Sequence, residues 1–281
     1  MLLRISLIPI FIFALINIIL TGHVSGQKLP ILTYHHIMSE DAATSQAGNA
    51  YVITDAEFKA QMRYLHDNGY RTITISQLED FICRSKALPQ KSVLITFDDG
   101  YASNRVYAYP VLKQYGMHAV IFLITGYIKD TEQPFDPKGF ALLSWSQVDA
   151  MKDVFEFGSH TDRLHYTEHN KAALTLVPKD QAEADIALSL SKVQDKDIFC
   201  FPFGAYNGGI VKILRRDGVK IAFGTTEGYA TMYGGAYSLP RFTITPGVSI
   251  ADFAGIVSGA RKAPRGAATV GQVLWRYISI L

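Results

Sequence analysis

The 281-residue chain has two cysteines, no run of like charge and no histidine beyond His169. Two cysteines, Cys83 and Cys200, cannot build a disulfide scaffold or a cysteine-rich zinc module. Lys and Arg number 27 against 25 Asp and Glu, a net charge of +2 without a basic tract, which argues against a nucleic-acid partner. With 19% charged and 48% hydrophobic residues the chain is not disordered. No internal repeat, low-complexity tract or Pro/Ser linker divides residues 27–281, so they read as one domain.

A single long apolar run opens the chain. In MLLRISLIPIFIFALINIILTGHVSG, Arg4 precedes an apolar stretch from Ile5 to Leu20, and Val24 and Gly26 stand just before Gln27. That is the layout of a signal peptide over residues 1–26. A retained membrane anchor is the alternative. Either outcome delivers residues 27–281 outside the cytoplasm. The C-terminal VGQVLWRYISIL is too short to span a bilayer and reads as a packing helix. A membrane- or partner-facing role, and with it peripheral membrane association, is the other reading. A monomer is expected. Cys200 falls in an apolar strand run and nothing locates Cys83 beside it, so both read as free thiols.

Short apolar runs suited to buried strands recur at 31–34, 92–97, 119–124, 154–157, 198–201 and 220–223. Helix-start signals lie between them: Thr54 with Glu57, Ser76 with Glu79, and Ser144 with Gln147 have capping-box spacing. Stop signals follow at Asn68-Gly69, Tyr115-Gly116 and Asp217-Gly218. Strands alternating with helices predict an α/β fold with a mostly parallel sheet, open or closed into a barrel. Both forms place reactive groups at the carboxyl ends of the strands.

Three such ends carry chemistry. In SVLITFDDGYASN, Asp98 and Asp99 follow a buried strand, and Gly100 gives a turn that lets both carboxylates approach one cavity. Helix capping by one Asp is the competing reading. In FEFGSHTDRLHYTEH, a strand ending at Gly158 is followed by His160 and His165, whose spacing requires an irregular loop if the rings are to meet. Two neutral imidazoles and one carboxylate form the ligand set of a hydrolytic Zn²⁺ or similar ion, with Asp162 and His169 as substitute ligands. In DIFCFPFGAYNGGIV, the backbone N–H near Phe203 is a candidate oxyanion donor, and Asn207 opens a helix.

TFDDG, then GSHT with a second His, then FPFGAYN resembles the polysaccharide deacetylases of carbohydrate esterase family 4, the NodB homology fold. The resemblance implies a distorted, incomplete (β/α) barrel. It also implies Asp98 as general base and Asp99, His160 and His165 as metal ligands. Three departures stand out. His165 is five residues after His160 rather than four; Cys200 stands where an Arg usually pairs with the base; and no His lies near the C-terminus to act as the acid. All three resemble the branch acting on poly-β-1,6-N-acetylglucosamine, in which the barrel is circularly permuted and the acid His lies in a first-strand YH motif. PILTYHHIMSE supplies that motif. Strand alternation lets only one of His35 and His36 face the cavity, and Tyr34-His35 matches the YH. Arg241, in YSLPRFTIT, is the suggested replacement partner of the base, with a surface salt bridge as the alternative.

These roles imply hydrolysis of an N-acetyl group on an acetylated glycan with a divalent metal, Zn²⁺ foremost. A catalytically silent carbohydrate-binding protein, or an amide hydrolase with a small or lipid-linked substrate, are the competing readings.

Overall fold

The computed structural model describes residues 26–261. The predicted signal segment, apart from Gly26, and the C-terminal VGQVLWRYISIL lie outside the described residues. Among the described helices none is long and apolar enough to cross a membrane.

Seven parallel strands form the sheet: β1 (Ile31–Tyr34), β2 (Ser92–Phe97), β3 (Ala119–Leu123), β4 (Phe155–Ser159), β5 (Ile198–Cys200), β6 (Ile221–Phe223) and β7 (Phe242–Thr243). Each pairs with its neighbour in chain order, except that β7 returns to pair with β1. The short strand Arg71–Thr72 adds to the start of β2. Just before β7, Leu239 bridges Phe223 of β6. One stretch, 239–243, therefore touches both edges of the sheet and curls it into a distorted, incomplete barrel. That is the expected fold.

The strands are apolar on both faces because both faces are covered; all six residues of β2 and all five of β3 are buried. Alternation sends Ile31, Leu94, Val120, Phe122, Ile198 and Phe223 into the barrel. Leu78 and Phe81 of helix Ile75–Arg84 belong to the same cluster. The outward residues pack on the surrounding helices, as Phe97 and Ile121 do in one cluster with Phe58 and Met62 of helix Asp55–Asp67. Phe199 and Phe201 do likewise with Ile186 of helix Lys179–Lys192.

Local signals hold with two shifts. The capping boxes at Thr54–Glu57 and Ser144–Gln147 form as predicted. The third lies two residues earlier than predicted, at Thr74–Gln77. Starting the helix at Ile75 lets its N–H donate to the buried-side carboxylate of Glu156 at 2.9 Å and turns Ile75 and Leu78 into the barrel cluster. Strand β4 does not stop before Gly158 but runs through it to Ser159. Gly158 is there for space: a Cβ would lie 2.8 Å from Ile198 Cδ1 and 2.9 Å from Phe122 Cδ1. Cys83 is exposed and Cys200 buried, and both are free.

Gly158→Ala is therefore expected to overpack the barrel and cost about 1–3 kcal/mol. A urea midpoint equal to that of the wild type would contradict this packing.

Candidate active site

Strand alternation assembles the upper layer of the barrel. Residues two beyond Thr33, Thr96, Gly158, Ile198 and Leu239 are His35, Asp98, His160, Cys200 and Arg241, and all five face inward at the carboxyl ends of the strands. Thr96 lies directly beneath, its hydroxyl donating to Leu32 O at 2.8 Å and accepting from Arg241 Nη1 at 3.2 Å.

Arg241 is 1% exposed and forms a two-pronged pair with Asp98, Nη1 to Oδ1 and Nη2 to Oδ2, both 2.8 Å. Its Nε donates to Gly224 O at 2.8 Å and Nη2 lies 3.1 Å from Cys200 Sγ. The planar fork matches a carboxylate in a way a lysine could not. Burial alone would raise the Asp98 carboxyl, but Arg241, with smaller contributions from His160 and His35, outweighs it and holds the acid well below the usual range. The surface salt bridge considered for Arg241 is replaced by this internal one.

Asp99 reaches the same cavity because its backbone is left-handed, φ 74°, followed by Gly100 at φ 85°. A Cβ on Gly100 would sit 2.8 Å from Leu123 Cδ2. Neither Asp caps a helix; the Ala102 N–H donates instead to Ala141 O at 2.8 Å. A second left-handed residue, Thr161 at φ 73°, turns the chain after His160. The next loop is gathered by Asp185, whose carboxylate accepts from the N–H groups of Asp162, Arg163 and Leu164 at 2.9, 2.7 and 3.2 Å. His165 is thereby carried back, with Nε2 at 3.1 Å from His160 Nε2 and 3.3 Å from Asp99 Oδ1. His160 Nε2 is 3.6 Å from the same oxygen. Asp185 escaped the sequence reading because nothing local marks a helix residue as the anchor of a loop some twenty positions away.

The donor set fits a divalent cation. His160 Nδ1 donates to Cys200 O at 2.8 Å, which leaves the Nε2 lone pair facing the cavity. Burial, and for His160 the neighbouring His165, lowers both imidazoles to about 4, so both are neutral and have a lone pair to offer a cation. Burial pushes Asp99 up, and among the described residues no Lys or Arg pairs with it. Ligands about 2.0–2.1 Å from a tetrahedral Zn²⁺ lie roughly 3.3 Å from each other, and the three edges here bracket that value. Asp98, His160 and Cys200 also lie close together. That group does not suit a cation: Asp98 is already neutralised by Arg241, and burial pushes the Cys200 thiol far up.

The remaining candidates separate cleanly. His35 Nε2 is 3.9 Å from Asp98 Oδ2, whereas His36 turns away to the Ser103 hydroxyl at 2.8 Å. Asp162 is buried against Thr125 and Lys192, and His169 is exposed beside Glu168, so neither joins the ligand group. Phe203 has a third left-handed backbone, φ 56°; its ring lies 4.8 Å from that of His165 and its N–H has no partner among the described residues. Asn207 caps its helix as expected, accepting from the N–H groups of Gly209 and Ile210. A surface recess of about 530 Å³, lined by Thr245, Val248, Asp252 and Arg261, holds no comparable cluster.

Residues 85–222 match the sequence profile of the polysaccharide deacetylase family. YxkH of Bacillus subtilis (strain 168), which bears that family's name, is 32% identical over 238 residues, covering 83% of this chain and 77% of the relative. The chain belongs to the polysaccharide deacetylase family. A poly-β-1,6-N-acetyl-D-glucosamine N-deacetylase of Staphylococcus epidermidis is 27% identical over 230 residues, 76% of this chain and 78% of that protein. Among solved structures, deacetylase PplD of Streptococcus pyogenes, in complex with acetate, superposes with TM-score 0.70 at 27% identity, covering 82% of this chain and 98% of PplD. IcaB from Ammonifex degensii superposes with TM-score 0.69 at 27% identity, covering 83% and 98%. The protein is a polysaccharide deacetylase of this fold.

Removing Arg241 would leave a buried carboxylate unpaired. Arg241→Ala is expected to cost this deacetylase about 3–5 kcal/mol, and Asp98→Ala added to it should restore part of that loss. Additive destabilisation in urea would mean the pair is not coupled.

Proposed function

We propose that this deacetylase removes N-acetyl groups from an N-acetylglucosamine polysaccharide outside the cytoplasm, releasing acetate. It would use a divalent cation, Zn²⁺ foremost, held by Asp99, His160 and His165. The observation that carries this is the contrast between two adjacent carboxylates. Asp98 is locked to a guanidinium, while Asp99 meets two neutral imidazoles and, among the described residues, no Lys or Arg. The export layout of residues 1–26 supports the location. The acid His on the first strand supports a circularly permuted order, and the Staphylococcus epidermidis relative makes the β-1,6-linked polymer the first substrate to test.

A cation in this site supplies Lewis acidity, polarising the acetamide carbonyl and acidifying water. Asp98, kept ionised by Arg241, takes the proton of the attacking water. The unpartnered Phe203 N–H donates to the carbonyl oxygen as negative charge develops on it. His35 then gives a proton to the sugar nitrogen as the C–N bond breaks, because an amide nitrogen leaves poorly without one. Acetate and a free amine result.

Acetate release from an acetylated β-1,6-glucosamine polymer tests the reading. A chelator should abolish release and Zn²⁺ should restore it. Asp98→Asn should lower turnover by about 10²–10⁴-fold while Zn²⁺ remains bound, whereas Asp99→Ala and His160→Ala should lose the ion. His35→Ala should slow turnover more than His36→Ala; the opposite order would reassign the acid to His36.

A further inference from the structure

Beside His35 stands an aromatic side chain that the mechanism above does not use. Strand Val52–Thr54 pairs in parallel with His36–Met38, His36 opposite Val52. Tyr51 immediately precedes that strand, and its carbonyl accepts from the His36 N–H, which brings its ring beside that of His35. The two rings are 4.6 Å apart, centroid to centroid, tilted by 60°.

The backbone of Tyr51 is held on both sides. Its N–H donates to Asn49 Oδ1 at 3.0 Å, and its carbonyl accepts from the His36 N–H at 3.1 Å. Asn49 is itself buried and its own N–H donates to Gln46 O. Such bracing is more than a surface tyrosine needs. The side chain is half-buried, and its hydroxyl has no hydrogen-bond partner among the described residues. Burial and then the charges of Asp99 and Asp98 push that hydroxyl up to about 12, so it stays a donor and senses both carboxylates.

A braced, protonated phenol beside the acid, with nothing in the protein to bond, is suited to a substrate oxygen. We propose that Tyr51 is a further catalytic residue, its hydroxyl donating to an oxygen of the acetamide-bearing sugar and holding the leaving nitrogen over His35. The proposal rests on the deacetylase reading above for the identity of the sugar. The hydroxyl supplies orientation on the leaving-group side, next to His35. The ring, packed on His35, fixes the plane from which the proton is delivered.

Tyr51→Phe keeps the ring and deletes only the donor. Two readouts on a β-1,6-linked N-acetylglucosamine tetramer test it: binding by calorimetry and acetate release. Both affinity and kcat/KM are expected to fall about tenfold, with Zn²⁺ affinity and the urea midpoint unchanged. Tyr51→Ala should lower kcat further through His35. If the wild type and Tyr51→Phe bind and turn over alike, the proposal is overturned while the deacetylase reading stands. If the wild type binds the tetramer without releasing acetate, the hydrolytic reading fails, and the Tyr51 contact is still judged from the two affinities. If the wild type does neither, both fall.

Discussion

The buried pair between Asp98 and Arg241 is the constraint on which the rest depends. A carboxylate this deep would ordinarily take up a proton, and a guanidinium this deep would cost several kcal/mol without a partner. Each is tolerable only because the other is placed to within hydrogen-bonding distance at both prongs. The seam of the barrel therefore closes where the chemistry needs charge. Leu239 sits against β6, Phe242 and Thr243 against β1, and the guanidinium between them points inward.

Around that pair, strained backbone makes up for what strand geometry cannot supply. Alternation delivers one inward side chain per strand end, and five of them arrive that way. Asp99 and the turn into His165 need left-handed residues, and Phe203 is the third. Such conformations cost about 1–3 kcal/mol each and persist where the surroundings leave no choice. Here those surroundings are specific: Leu123 against Gly100, Asp185 beneath the loop after His160, and Thr225 against Gly204, where a Cβ would lie 2.1 Å from its Oγ1.

Much of this was legible in the sequence because it is local. The strand runs, two capping boxes, the helix stops and the alternation of His35 with His36 all follow from spacing of a few residues. That two imidazoles and a carboxylate would meet could be inferred from donor chemistry, but the choice of Asp99 as that carboxylate came from the resemblance to the deacetylase family. Asp185 and Tyr51 were not legible. Asp185 acts through backbone N–H groups that look the same in every residue, and Tyr51 is set beside His35 by the turn that leads into a three-residue strand. The shift of one cap from Ser76 to Thr74 has the same origin: a distant carboxylate, Glu156, decides where the helix begins.

The seam has a consequence for how the molecule comes into being. Asp98 and Arg241 are separated by 143 positions, so closing that loop belongs to the slow, non-local part of folding. Until the stretch around Leu239 docks, β1 and β6 are both open edges, and Asp98 lacks its counter-charge. A nascent chain stalled before that stretch would hold both carboxylates and both imidazoles yet remain without a competent centre. Closing the seam and pairing Asp98 are thus one and the same contact.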